Sequence, residues 1–304
     1  MHVLYNGQAG RAPDADIEAL RTLPGVDLVT CQDPDATIRA AREARQSGAE
    51  LVVAAGGDGT VHLVANGLMQ AGATAETRPT LGVLPLGTGN DLARSLALPI
   101  GAHPVEAVDA LRHADRRTID LIRVSHEDDA GDTDYAVNVC AGGFSGEVDE
   151  AMTDELKASW GPLAYLVGAV KALPGLAEYH TRVAWDGGPE EPLGAYNIVV
   201  ANARTAGGGK PVAPRASLED GLLDVVIVRA DADLVRLAAR VLAGDYLDDD
   251  DIVFNRVRSV RVRSRPGMWF NVDGELRTNA PVTFTAVPGA LRVCVGPGYV
   301  AHPG

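Results

Sequence analysis

The chain has 304 residues, which at about 150 residues per domain predicts two domains, and its 46% apolar and 22% charged composition excludes wholesale disorder. Its 27 basic and 41 acidic groups leave a net charge of −14, a field that repels nucleic-acid backbones and excludes nonspecific binding to them. Cys31, Cys140 and Cys294 lack metal-ligand spacing and are expected as reduced, buried thiols, while the absence of a basic start or any apolar run of about 18 residues predicts neither an export signal nor a membrane span.

The first third reads as alternating strands and helices. Val3 to Tyr5 is a short strand, and Asp35 to Gln46 has helical period with Asp35 as candidate N-cap and Gly48 as C′. Leu51 to Ala55 is a continuous apolar run, as a strand covered on both faces requires. A helix with Val61, Val64 and Leu68 on one face follows, then the strand Leu81 to Leu86. This order implies right-handed parallel crossovers and an α/β layer.

Beyond about residue 120 the texture becomes β-rich: Ile119 to Val124, Ala136 to Cys140, Arg182 to Trp185, Tyr196 to Ala201, Leu223 to Val228, Val257 to Val262, Val282 to Ala286 and Leu291 to Val295. Turn residues separate them, which predicts a mainly antiparallel β-sandwich. Helices are expected at Val148 to Lys157, Pro162 to Leu173 and Leu234 to Leu242. The expected division is a domain of residues 1–125, joined by the tail 296–304, and a second of 126–295.

Two glycine corners carry the chemistry. Gly56-Gly57-Asp58-Gly59-Thr60 follows an apolar strand and opens a helix, placing free backbone N–H groups at a helix N-terminus, where phosphate is received. Asp58 can hold a cation bridging phosphate oxygens, and Thr60 can cap the helix or bond the anion. Gly87-Thr88-Gly89-Asn90-Asp91 repeats the arrangement after the next strand, and loops at the carboxyl ends of neighbouring parallel strands face one crevice. Each string also serves as an ordinary capped turn; together they favour a nucleotide site.

Gly-Gly-Asp-Gly-Thr, then Leu-Pro-Leu-Gly-Thr-Gly-Asn-Asp-Leu-Ala-Arg, then Asn138-Val139-Cys140-Ala141-Gly142-Gly143-Phe144 resemble the diacylglycerol kinase and sphingosine kinase catalytic superfamily. The strings Asn202 to Gly209, Ser217 to Asp224 and Asn271-Val272-Asp273-Gly274-Glu275 are similar to the bacterial YegS-like lipid kinases, so the resemblance runs nearly the whole chain. It implies an NAD-kinase-like α/β domain, a β-sandwich, and ATP-dependent phosphoryl transfer to a lipid hydroxyl, diacylglycerol- or phosphatidylglycerol-like, with nucleotide between the domains. By motif position it places Thr30, Gly56, Gly57, Asp58, Gly59, Thr60, Val61, His62 and Thr88 at ATP, with Asn90 of the second corner beside them. It makes Asp58 act through Mg²⁺ or water, makes Glu275 the general base, and puts Ser217, Asp220 and the Leu222 carbonyl at a structural Mg²⁺ site. It also implies a cytoplasmic enzyme visiting the inner membrane face, where its lipid lies.

The chain departs from that pattern where His62 and Leu63 replace Asn-Glu, and His62 is expected as a helix-surface histidine. The first turn lacks the usual Pro and Ser, leaving Asn6 a candidate on the phosphate side. From the residues alone, Glu275 reads first as an exposed carboxylate after an Asp-Gly turn, and Ser217 to Gly221 as a simple turn. Arg256, Arg258, Arg261, Arg263 and Arg265 predict a solvated edge strand, or a patch for anionic head groups. An NAD kinase and a silent nucleotide- or lipid-binding regulator are the alternative readings.

Overall fold

The computed structural model describes residues 1–7, 13–69, 78–126, 133–143, 178–278 and 281–302. Two compact units are present, Met1–Asp120 with Pro288–Ala301, and Leu121–Val287 with His302.

The first unit contains β1 (His2–Asn6), α1 (Asp14–Arg21), β2 (Asp27–Cys31), α2 (Pro34–Gln46), β3 (Leu51–Gly56), α3 (Asp58–Met69), β4 (Thr80–Pro85), α4 (Asp91–Ser95), α5 (Pro104–His113) and the start of β5 (Asp115–His126). Its strands pair in the order β4-β3-β1-β2, all parallel. Every residue of β3 and β4 is buried, which is why both read as unbroken apolar runs. α2 and α3 pack on β1 to β3, and α5 on β4.

The N-cap of α2 is Asp33, not the expected Asp35: its carboxylate accepts the Ala36 N–H at 2.7 Å. Pro34 takes the first helical position, where a missing N–H costs nothing, and Asp35 falls inside the first turn. α3 is buried from Thr60 through Met69, so the expected single apolar stripe is replaced by burial all round.

The second unit is a β-sandwich-like assembly of β6 (Asp134–Ala136), β7 (Val139–Gly143), β8 (Tyr179–Trp185), β9 (Glu191–Ala201), β10 (Thr205–Ala206), β11 (Lys210–Pro211), β12 (Leu223–Arg229), α6 (Leu234–Ala243), β13 (Ile252–Val257), β14 (Ser259–Arg265), β15 (Phe270–Val272), β16 (Glu275–Thr278) and β17 (Val282–Val295). Antiparallel pairing runs β16-β15-β7-β9-β8-β14-β17, with β12 also on β9 and β13 on β12. Successive residues of β9 and β12 feed opposite faces. Ile198, Val225 and Ile227 join Phe270 and Phe284 in one core, whereas Val199, Val226 and Val228 join Leu237 of α6 and Tyr246 in another.

Four expected strands differ. Ala136 to Cys140 is broken into β6 and β7 at Val137-Asn138. Val257 to Val262 is two strands, because Arg258 and Ser259 turn with their N–H groups on the Asp186 carboxylate, both at 2.8 Å. This turn separates Arg256 and Arg258, at even positions, from Arg261, Arg263 and Arg265, at odd ones. β14 lies between β8 and β17, so it is not the expected edge strand; Arg261 and Arg263 face Glu190 at 3.7 and 3.4 Å. Val282 to Ala286 and Leu291 to Val295 form one strand, β17, whose later part pairs with β4 in parallel at Val293 and Leu81. The helices expected at Val148 to Lys157 and Pro162 to Leu173 lie outside the described residues.

Candidate functional site

The two glycine corners are neighbours because the strands that deliver them are. β3 and β4 pair in register with Gly56 opposite Pro85, and the Leu86 N–H donates to the Gly56 carbonyl at 2.9 Å. A Cβ on Gly87 would fall well inside contact distance of the Gly57 Cα, so no side chain fits where the loops touch. Asp58, at the start of α3, accepts the Asp91 N–H on Oδ1 at 2.7 Å, tying the first corner to the second. A Cβ on Gly89 would meet Asp58 Oδ2 at 2.5 Å, which places that oxygen over the second loop. Asn90, at φ 52°, closes the second corner on itself: its Oδ1 accepts the Gly87 N–H at 3.0 Å and its Nδ2 donates to the Gly87 carbonyl at 2.7 Å. Asparagine tolerates that left-handed backbone better than most residues.

The remaining candidates of this unit differ in access. Thr88 is exposed, and Gly57, Asp58, Gly59 and Thr30 are half-buried. Thr30 on β2 accepts a hydrogen bond from Arg21 at 3.1 Å. Thr60 and Val61 are buried in the first turn of α3, and Thr60 Oγ1 accepts from Asn6 Nδ2 at 3.3 Å. His62 is 1% exposed, with its Nε2 3.4 Å from Asn66 Nδ2. The expected surface histidine is therefore a core residue, since α3 has no solvent face at that turn.

In the second unit Glu275 opens β16. The two-residue loop Asp273-Gly274 has φ values of 48° and 101° and joins the pair Val272 and Glu275, a tight hairpin that requires left-handed backbone at both positions. Gly274 donates to Asn271 Oδ1 at 2.6 Å. The Asp273 carboxylate is buried and accepts three backbone N–H groups, from Val137 at 2.7 Å, Asn138 at 2.9 Å and Val139 at 3.1 Å. Those are the residues at the break between β6 and β7. The dipeptide announced a turn, but nothing local in the sequence announced this clamp. Glu275 itself is half-buried, and on the same hairpin Trp269 and Leu276 are 39% and 37% exposed.

Ser217, Asp220 and Leu222 lie on the turn before β12. Asp220 Oδ1 accepts the Leu222 N–H at 2.9 Å, and its other oxygen pairs with Arg256. Ser217 Oγ lies 3.1 Å from His302 Nδ1 and accepts the Glu219 N–H at 3.2 Å. Asp224 is 1% exposed, and neither carboxylate oxygen has a hydrogen-bond partner among the described residues. Burial raises its pKa to about 6; Arg256, with Nε at 3.5 Å, opposes the rise and Asp220 adds to it. Two carboxylates thus share one guanidinium, and a hydroxyl, a carboxylate and a backbone carbonyl are hard oxygen donors of the kind Mg²⁺ takes. Among the described residues no three His, Cys, Asp or Glu side chains group to hold a metal by themselves. The three cysteines are free and buried, and burial pushes the thiol of Cys140 well up and that of Cys294 to about 11. No helix among the described residues is long and apolar enough to cross a membrane.

The sequence profile of the diacylglycerol kinase catalytic domain matches residues 1–124, and that of the YegS C-terminal NAD kinase beta sandwich-like domain matches residues 138–295. A diacylglycerol kinase of Bacillus subtilis is 33% identical over 82% of this chain and 78% of its own length. A protein of Xanthomonas axonopodis named "Probable lipid kinase YegS-like" is 36% identical over 91% of this chain and 90% of its own. Among solved structures, a diacylglycerol kinase of Bacillus anthracis superposes with a TM-score of 0.73 at 19% identity, covering 98% of this chain and 97% of that one. An NAD kinase of Archaeoglobus fulgidus in complex with ATP does so with 0.51 at 15% identity, covering 96% and 92%. At such identities the structures share the fold and nothing finer is drawn from them.

Proposed function

Because the chain belongs to the diacylglycerol kinase catalytic-domain family with a YegS-type C-terminal domain, and is a kinase of the lipid-kinase class, we propose that it transfers the γ-phosphoryl group of ATP to a lipid hydroxyl. The acceptor is diacylglycerol- or phosphatidylglycerol-like. The observation that supports this most is the pair of abutting glycine corners bound together by Asp58 and the Asp91 N–H. They set backbone N–H groups and a carboxylate around one small volume, the arrangement that positions a polyphosphate.

Gly56, Gly57 and Gly59 give backbone N–H groups and room, Gly87 lets the two loops abut while its own N–H is held by Asn90, Thr30 and Thr88 flank the nucleotide, and Asn90 holds the second loop in shape. Thr60, Val61 and His62, being buried, act by seating the first turn of α3. Asp58 is the carboxylate that would hold Mg²⁺, which when bound neutralises charge on the phosphates. Glu275 accepts the proton of the lipid hydroxyl as its oxygen bonds to the γ-phosphorus and the bond to the departing ADP breaks. Ser217 Oγ, an Asp220 oxygen and the Leu222 carbonyl would hold a second, structural Mg²⁺, with the Asp224 carboxylate, ion-paired to Arg256, close by. The exposed Trp269 and Leu276, on the same hairpin as Glu275, suit contact with a bilayer surface, since tryptophan prefers the membrane–water interface. This reading has the enzyme act from the cytoplasm, peripheral at the inner membrane face.

The test is to supply purified protein with Mg²⁺, γ-labelled ATP and an extracted lipid mixture, and to identify the labelled lipid by mass spectrometry. A phosphorylated lipid is expected, and label appearing in NADP or in no lipid would overturn the reading.

A further inference from the structure

At the opposite end of the first unit's strands from the glycine corners lies a polar cavity of about 430 Å³ lined by Glu50, Thr80, Arg112, Arg116 and Arg292, with Met1 and Leu51. Thr80 is the first residue of β4 and Pro85, before the second corner, its last. At about 3.3 Å per residue the cavity therefore lies roughly 16 Å along the strand from that corner.

Several arginines of this acidic chain are neutralised by carboxylates. Arg215 pairs with Asp248, Arg229 with Asp231, and Arg236 and Arg240 both with Asp249. Arg116 and Arg292 are different. The Arg116 guanidinium donates to the Ala114 carbonyl at 2.8 Å, the Cys294 sulfur at 2.9 Å and the Arg112 carbonyl at 3.4 Å. Arg292 Nε donates to Thr80 Oγ1 at 2.9 Å. Neutral acceptors thus fix both groups in place and leave their charge uncompensated, and neither forms an ion pair among the described residues. Arg112 is held by the Pro24 carbonyl and by Asp109, at 3.3 Å from one guanidinium nitrogen. Glu50, the one acid lining the cavity, pairs with none of the three. With Arg112 offset by Asp109, the two guanidinium groups of Arg116 and Arg292 against the Glu50 carboxylate leave a net positive hollow in a chain of net charge −14.

We propose that this cavity is a second anion site, taking a phosphate dianion, either free or as a terminal monoester. Fixed guanidinium forks match phosphate oxygens in geometry, and desolvation within a cavity strengthens charge-assisted bonds. The same chemistry is offered by free inorganic phosphate and by the head group of a phosphatidate. The site does not depend on the glycine corners and stands whether or not the chain phosphorylates lipids.

Calorimetric titration of the full chain with inorganic phosphate at low ionic strength, parent beside the Arg116→Gln/Arg292→Gln double variant, tests it. Phosphate taken up at the glycine corners is common to both proteins, so the difference isolates the cavity. Loss of two charge-assisted contacts is expected to weaken binding at the cavity by about tenfold or more. A parallel arm measures flotation with phosphatidylcholine vesicles, with and without added phosphatidate. Phosphatidate-dependent flotation lost in the variant assigns the lipid head group, whereas phosphate binding without flotation assigns the free ion. Identical isotherms for parent and variant, or no binding by the parent in either arm, would overturn the proposal. Arg292→Gln alone, at an exposed position, serves if the double variant does not fold.

Discussion

Replacing Asp273 by asparagine removes one carboxylate oxygen from a clamp of three backbone N–H groups. Val137 donates to Oδ2 at 2.7 Å, while Asn138 and Val139 donate to Oδ1 at 2.9 and 3.1 Å. An asparagine can keep its oxygen on the Asn138 side, but its NH₂ then faces the Val137 N–H, donor against donor. The substitution is clean in its backbone, because residue 273 sits at φ 48°, a conformation asparagine adopts as readily as aspartate. Losing one charge-assisted bond, leaving a buried donor unmet and weakening two more bonds should cost about 2–4 kcal/mol. All three tryptophans, Trp160, Trp185 and Trp269, fall between residues 121 and 287, so urea unfolding followed by tryptophan fluorescence reports the second unit. Asp273→Asn is expected to lower its midpoint with little change in slope. A variant within about 0.5 kcal/mol of the parent, the ordinary range of a surface substitution, would refute the claim that this carboxylate holds the β6–β7 break.

Other perturbations follow from the same contacts. Gly87→Ala forces a methyl group into the Gly57 backbone; overpacking of about 1–3 kcal/mol and loss of ATP binding by calorimetry are expected, and unchanged binding would contradict the corner geometry. Asp249 is buried, and its pKa is lowered by the Asp251 N–H and by Arg240 and Arg236. A depressed folded-state pKa contributes stability above the ordinary carboxylate range that is lost as pH falls through it. Asp249→Asn should therefore be less stable than the parent at neutral pH, with the gap closing on acidification; a gap constant with pH would contradict this. Adding Mg²⁺ should raise the melting temperature of the parent but not of Asp220→Asn, read by scanning calorimetry, and equal shifts would remove Asp220 from the metal site.

The α/β layer and the two corners were legible because both are local in sequence. An apolar run followed by glycines and a helical pattern needs only short-range steric rules, and β3, α3 and β4 sit where those rules put them. The Asp33 cap was legible in principle, since Asp-Pro is a helix-start signal; Asp35 drew the assignment by being closer to the apolar period. What the sequence hid was long-range. The β6–β7 break depends on Asp273, more than 130 positions away in the chain, and α3 loses its solvent face to tertiary packing, which buries His62. The arginine run misread as one strand turns at Arg258 because Asp186, on a different hairpin, accepts its N–H. The Arg116 and Arg292 hollow is assembled from β4, β5, α5 and β17, and no window of sequence contains it.

The role assigned to Glu275 is tested most directly by comparing the parent with Glu275→Gln in single-turnover phosphoryl transfer to a purified lipid acceptor, with ATP affinity measured on the same samples. The expected result is a transfer rate lowered by about 10²-fold or more with ATP binding unchanged. Transfer at the parent rate would show that another group takes the hydroxyl proton and would contradict the assignment.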